Sequence, residues 1–165
     1  MPITRIDKDL DAHTMTVFAD FDASISRVWA LYADPLQLER TWGPPTWPAT
    51  VVEHDLRPGG TVTYFMTGPE GEKSAGYWNV LEVDAPSRFV IDDGFADDSG
   101  RPNPDMPTTR IVFEFAERSG GGTAMTVTST FSSTEAMKQL MEMGMEEGLR
   151  AAMGQIDSVL AEAAR

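Results

Sequence analysis

The sequence has no cysteine and only two histidines, and this scarcity excludes several kinds of site. Without cysteine there is no disulfide framework and no thiol chemistry. His13 and His54 do not stand at a metal-ligand spacing from each other, so neither a metal site nor a cofactor is predicted. The Gly-x-Ser-x-Gly elbow, the Walker loop and the dinucleotide fingerprint are also missing. The sequence therefore assigns no catalytic residue.

Positive charge is scarce as well, and no long apolar run is present. Thirteen lysines and arginines stand against 26 acidic residues, which gives a net charge of −13. This balance argues against nucleic acid and against anionic membrane surfaces, because both are bound through cationic patches. No run approaches the roughly 18 apolar residues of a membrane span, and the N-terminus lacks an apolar signal core. We expect a soluble cytoplasmic protein with no nucleic-acid or membrane partner.

The chain contains enough apolar residues to form the core of one domain. It has 165 residues, of which 41% are hydrophobic, and about 70% of the unfolded surface can be buried at this size. Residues 14–21 alternate between apolar and polar side chains, which predicts a strand. Residues 1–13 are predicted to be an N-terminal arm or an extra strand, and residues 14–165 a single domain. Two short helices are predicted over about 26–33 and 35–40, and further strands near 47–56, 60–67, 74–84, 87–93, 108–117 and 122–131.

One link between strands is long and rich in aspartate. It runs from Asp92 to Pro107 and contains Asp93, Asp97, Asp98 and Asp105. The spacing does not match a calcium-binding loop, because the required glycine and terminal glutamate are out of step. The sequence therefore predicts a solvated loop or a lid here.

The C-terminal stretch, from Ser132 to Arg165, has helical periodicity along its length. Ser132 and Glu135 stand at capping-box spacing, and apolar residues then recur every three and four positions without a proline. This pattern predicts one helix of about 30 residues. Gly144 and Gly148 lie on its apolar stripe, where glycine costs about 1 kcal/mol relative to alanine. They indicate either close packing of another backbone or space left for something else.

These elements together predict an α+β fold. Close spacing and short turns indicate antiparallel hairpins in chain order, and hence a curved sheet of about six or seven strands. Two short helices cannot cover the apolar face of such a sheet, so the long C-terminal helix is expected to lie across it.

Several motifs resemble one known family. The chain is similar to the START-like, helix-grip (SRPBCC) superfamily, and more narrowly to the branch named after the C-terminal domain of the heat-shock protein ninety ATPase activator. The resemblance covers about residues 14–163. The motifs that carry it are Phe21-Asp22-Ala23, Val28-Trp29, Asp34-Pro35, Trp42-Gly43-Pro44, Arg57-Pro58-Gly59-Gly60, Gly76-Tyr77-Trp78 and Met143-Gly144-Met145-Glu146-Glu147-Gly148-Leu149. One departure is Leu149, where many relatives carry tryptophan.

The resemblance implies a cavity between the sheet and the last helix. Tyr64, Tyr77, Asn79 and His54 are candidates for its polar groups. The candidate residues that line it are Trp42, Trp47, His54, Tyr64, Met66, Trp78, Phe113, Met125, Phe131, Met141, Met145 and Leu149. Apolar walls with a few polar groups are typical of a small-molecule site.

Three functions follow from the resemblance. The favoured one is a binding protein for a hydrophobic or amphipathic small molecule. The second is an enzyme of cyclase or dehydratase type, which would need a polar group with a shifted pKa facing the cavity. The third is a stress-related module that binds a protein partner, as a co-chaperone does. A homodimer is compatible with each of them.

Overall fold

The computed structural model describes residues 2–163 and confirms an α+β fold with one sheet. Within those residues it has eight strands and five helices. The strands are β1 Ile3–Asp9, β2 Thr14–Phe21, β3 Ala49–His54, β4 Thr61–Thr67, β5 Lys73–Asp84, β6 Arg88–Ala96, β7 Thr109–Glu117 and β8 Thr123–Phe131. The helices are α1 Ile25–Ala33, α2 Pro35–Thr41, α3 Thr134–Glu142, α4 Met145–Met153 and α5 Ile156–Ala163.

The sheet is antiparallel throughout, in the order β1-β2-β8-β7-β6-β5-β4-β3. The chain starts at one edge with β1 and β2, crosses to the other edge through α1 and α2, and returns strand by strand until β8 pairs with β2. The predicted count of six or seven strands is wrong, because Ile3–Asp9 forms an additional strand on β2.

Both edge strands are irregular. The pairing of β1 with β2 shifts register between Ile3 and Arg5, and the pairing of β3 with β4 shifts between Val51 and Glu53. At the second irregularity the Val51 amide donates to a carboxylate oxygen of Glu39 on α2, at 2.9 Å. Each edge of the sheet therefore has a break in its ladder of backbone groups.

The prediction of a single C-terminal helix is wrong, because the stretch forms three helices. The break between α3 and α4 lies at Gly144, whose φ of +86° is left-handed and ends α3. A second break lies at Gly154, between α4 and α5. The helix also begins one residue later than predicted, since Ser133 is the N-cap and accepts the Ala136 amide at 3.0 Å. Residues 164 and 165, which the prediction included, lie outside the described residues.

Contacts at the two ends of helix α4 are directed toward opposite edges of the sheet. At its start, Glu146 Oε1 is 2.6 Å from Lys8 Nζ on edge strand β1. Just after its end, Gln155 Nε2 donates at 2.8 Å to the carbonyl of Gly43, in the loop that leads to edge strand β3. Eight strands laid flat would be about 34 Å wide, whereas a nine-residue helix is only about 14 Å long. The sheet is therefore strongly curved, with α4 over its concave face.

Replacing Gly144 or Gly148 by alanine should change the stability of the protein in opposite directions. Gly144→Ala should destabilise the protein by about 1–2 kcal/mol, because L-residues resist a left-handed φ. Gly148 is inside α4, and a Cβ added there would have no atom within 4 Å. Gly148→Ala should therefore stabilise by up to about 1 kcal/mol, through helix propensity. Urea denaturation of both variants measures the two changes. A loss of stability in Gly148→Ala would mean that another group lies against this position.

Candidate functional site

The two ends of the concave face are packed differently. At the end where α1 leaves the sheet, aromatic rings fill the space between that helix and the strands. Phe89 and Phe113 stack at 4.3 Å between ring centroids, and Tyr32 of α1 lies 5.1 Å from Phe113 and 5.8 Å from Phe115. All four side chains are buried. We call this region the closed end, and it is an ordinary aromatic core.

The opposite end is only partly covered. It is the end from which β8 passes into α3. In the strand register Phe131 of β8 pairs with Thr109 of β7, and Thr109 pairs with Asp93 of β6, so Asp93 and the nearby Phe95 lie at this end. Its apolar side chains pack against the core but remain half-buried, so solvent still reaches them. We call this region the open end. Its half-buried apolar side chains are Trp42, Val51, Met66, Phe95, Met141, Met145 and Leu149.

The open end contains a hydrogen-bonded pair of polar side chains. The Tyr64 hydroxyl on β4 donates to Asp93 Oδ1 on β6 at 3.0 Å, across the intervening strand β5. This reach depends on Gly76, which pairs with Tyr64 in β5. A Cβ at Gly76 would overlap the phenol of Tyr64, so only glycine leaves room for the ring to lie over β5.

Burial shifts the pKa of both members of this pair. Desolvation raises the pKa of Asp93 to about 7, although the hydrogen bond from Tyr64 works against the rise. The pKa of Tyr64 is raised well above its ordinary value by desolvation first and by the nearby Asp93 charge second. Within residues 2–163 no lysine, arginine or histidine forms an ion pair with Asp93. The carboxyl group thus titrates close to neutral pH.

Two tryptophans adjoin the pair. The Trp42 ring packs edge-to-face with Trp78 at 4.9 Å and with Tyr64 at 5.9 Å between centroids. The Trp42 indole is close enough to the Tyr64 phenol to oppose the rise in its pKa. The Nε1 atoms of Trp42 and Trp78 are nevertheless buried without a hydrogen-bond partner among the described residues. The site therefore combines apolar walls with the hydrogen-bonded Tyr64 hydroxyl and Asp93 carboxyl group, and the two indole N–H groups are themselves buried.

The residues predicted to line a cavity do not all lie together in the structure. Trp47 packs near Gly68 at the rim, and Phe131 is buried beside Thr109. His54 hydrogen-bonds through Nε2 to the Tyr32 carbonyl at 2.8 Å, and Met125 Sδ accepts from the Tyr32 hydroxyl at 3.6 Å. The structure places His54, Phe113 and Met125 at the closed end. It places Trp42, Tyr64, Met66, Met141, Met145 and Leu149 at the open end, with Trp78 between the two.

Asp93, Phe95 and Gly76 were not predicted as site residues. The predicted solvated loop began at Asp92, but β6 continues to Ala96, so that part of the prediction is wrong. The available signal was parity: Phe89 and Ile91 face the core, and the same alternation continues through Asp93 and Phe95. Asp97 does fit the predicted loop, since it is exposed and its carboxylate accepts from the amides of Ser99 and Arg101.

Among residues 2–163, no group of three or more histidine, aspartate or glutamate side chains is placed to hold a metal ion. No helix among these residues has both the length and the apolar character needed to cross a membrane.

Comparisons with known proteins agree on one family. The model of the family described as Activator of Hsp90 ATPase homolog 1-like protein matches residues 22–161. The crystal structure of protein Ms6760 from Mycobacterium smegmatis is 53% identical, with 96% of this chain and 97% of that chain covered and a TM-score of 0.89. A solution structure from Arthrobacter aurescens is 47% identical, covering 96% and 92%, with a TM-score of 0.91. One from Staphylococcus epidermidis is 28% identical, covering 97% and 95%, with a TM-score of 0.84. No curated protein matches.

Proposed function

Because the chain belongs to the Activator of Hsp90 ATPase homolog 1-like family, which confirms the resemblance seen in its sequence, we propose that it is a binding protein for a small molecule. The ligand is hydrophobic or amphipathic and lies at the open end, between α4 and the concave face of the sheet. The residues proposed to contact it are Trp42, Tyr64, Met66, Met141, Met145 and Leu149, together with Asp93 and Phe95.

The observation that carries this proposal is the environment of Gly148. Helix α4 crosses the concave face, yet a Cβ at Gly148 would meet nothing within 4 Å. The glycine is therefore not explained by close packing of another backbone. Beside it, Met145 and Leu149 on α4 are half-buried apolar side chains. Space next to incompletely covered apolar groups favours a bound apolar ligand, because such a ligand would remove their surface from water.

The chemistry of the lining supports a small molecule. Methionine and aromatic side chains supply adaptable apolar contact, and a few polar groups fix the orientation of a ligand. Here the polar groups are the Asp93 carboxyl group and the Tyr64 hydroxyl that hydrogen-bonds to it.

The first test is native and denaturing mass spectrometry of freshly purified protein. We expect an extra mass in the native spectrum that is lost on denaturation. Gly148→Leu should abolish it by placing a side chain in the open space, whereas Gly148→Ala should keep it. A bare native mass, together with no fluorescence increase of the neutral dye Nile red, would contradict the proposal.

One observation favours a second candidate, an enzyme that uses the same site. A carboxyl group whose pKa burial raises to about 7 is suited to donate and accept protons near neutral pH. In that case the native spectrum would contain no retained ligand, and the molecule bound on incubation would leave chemically altered. Asp93→Asn would then stop the alteration without preventing binding.

A further inference from the structure

Only one of the two carboxylate oxygens of Asp93 takes part in a hydrogen bond within residues 2–163. Its Oδ1 accepts from the Tyr64 hydroxyl at 3.0 Å, and no group among the described residues donates to Oδ2. Charged groups that are removed from water in proteins are normally paired, because desolvation without compensation is costly. The half-buried carboxylate therefore lacks the partner that its charged form requires.

The neighbouring residue shows that the chain does supply such a partner elsewhere. Asp92 points to the other face of the same strand, and Arg110 on β7 binds it with two hydrogen bonds, at 2.9 Å and 3.1 Å. Two adjacent aspartates thus have opposite environments. Asp92, the more exposed of the two, is paired with Arg110, whereas no cationic side chain of the described residues pairs with Asp93 on the concave face.

The surroundings of Asp93 favour a cation from outside. Tyr64 packs with Trp42, and Trp42 packs with Trp78, so aromatic rings border the carboxyl group on one side. Aromatic faces attract ammonium groups, and more strongly where water is excluded. The net charge of −13 raises the local concentration of cations and lowers that of anions.

We propose that the open end selects amphipathic amines, with the ligand's ammonium group bound to Asp93 and its apolar part lying against Phe95, Met145 and Leu149. This inference rests on the proposed function, since it names the chemical class of the ligand for the same site. Oδ2 of Asp93 accepts from the ammonium group while Tyr64 holds Oδ1 in place. The apolar part of the ligand contributes most of the affinity, and the Asp93 carboxylate determines which head group is preferred.

The test compares three molecules with the same apolar chain: octylamine, octanol and octanoate. Binding is measured by calorimetry and by tryptophan fluorescence at about pH 8, where Asp93 is ionised and the amine is protonated. We expect octylamine to bind about 10- to 100-fold more tightly than octanol, the range for one charge-assisted hydrogen bond. Octanoate should bind more weakly than octanol.

Two variants with the same change in net charge separate Asp93 from the general field of the protein. Asp93→Asn should remove the preference for octylamine over octanol, because the amide carries no charge to pair with the ammonium group. Asp92→Asn, on the opposite face, should leave the preference intact. Equal binding of amine and alcohol by the natural protein, or an unchanged preference in Asp93→Asn, would overturn the amine proposal and leave the binding function standing. Failure of all three molecules to bind would overturn both.

Discussion

Asp93→Asn is expected to stabilise the protein at and above pH 7. Burial raises the pKa of Asp93 from 3.8 to about 7, so the folded state holds a proton that the unfolded state releases. Ionising this group therefore works against folding. At 1.36 kcal/mol for each pH unit the full cost approaches about 4 kcal/mol. Because Asp93 is half-buried and water screens part of its charge, we expect a gain of about 2–4 kcal/mol in the variant.

The stability gained in Asp93→Asn should depend on pH in a defined direction. A carboxyl group with a raised pKa contributes its full stability below the unfolded value, near pH 4, and loses it as pH rises through the folded value of about 7. The difference between Asp93→Asn and the natural protein should therefore be small near pH 4, grow up to about pH 7 and then level off. Urea denaturation across this range measures it. A difference for Asp93→Asn that stays constant across this range would refute the raised pKa.

Trp78→Ala should destabilise the protein by about 3–5 kcal/mol, the usual cost of truncating a large core aromatic. Trp78 is 0% exposed. Its ring lies 4.9 Å from Trp42 and 6.0 Å from Phe89, so it joins the open end to the closed end. Removing it leaves a cavity under both, and we expect ligand binding to fail as well. Thermal unfolding together with Nile red fluorescence measures both effects.

Trp78→Phe is the matched control for volume and polarity. It keeps an aromatic ring and removes an indole N–H that has no hydrogen-bond partner within residues 2–163. Burying an unsatisfied donor costs about 1–3 kcal/mol, so its removal should offset part of the lost packing. We expect a net cost below about 2 kcal/mol. A cost for Trp78→Phe equal to that of Trp78→Ala would mean that a ligand or water group pairs with Nε1.

Most of the sheet could be predicted from the sequence because alternation is a local signal. Met15, Val17, Ala19 and Phe21 alternate in the sequence and are all buried in β2. Turn residues mark the ends of most strands. The extra strand β1 was harder to predict, since Ile3 and Ile6 are only half-buried and its other side chains are exposed, so its apolar alternation is weak.

The break in the C-terminal helix could not be predicted from periodicity. Apolar residues recur at three and four positions on both sides of Gly144, and a single glycine is tolerated inside many helices. Whether the residue turns left-handed depends on what the next helix must pack against. Here Glu146 in α4 contacts edge strand β1, and Gln155 just after α4 contacts the loop that leads to edge strand β3. This long-range requirement has no local signature.

The candidate site was predicted in part. The aromatic and methionine residues of the open end were recognisable by type, but Asp93 stands in an acidic stretch that is typical of a solvated loop. Its role depends on Tyr64, 29 residues earlier in the chain, which reaches it over Gly76. Pairing across three strands is a property of register, and one sequence does not contain that information directly.

The irregular edge strands affect how copies of the protein can meet. A regular edge offers a row of free amides and carbonyls to which a strand of another molecule can add, the usual route to sheet extension and aggregation. In β1 and β3 the register shift interrupts that row, and in β3 the Glu39 carboxylate already occupies one amide. Growth of the sheet from molecule to molecule is thus disfavoured at both edges. A homodimer of this protein, if it forms, is expected to pack through side chains and to keep the two sheets separate.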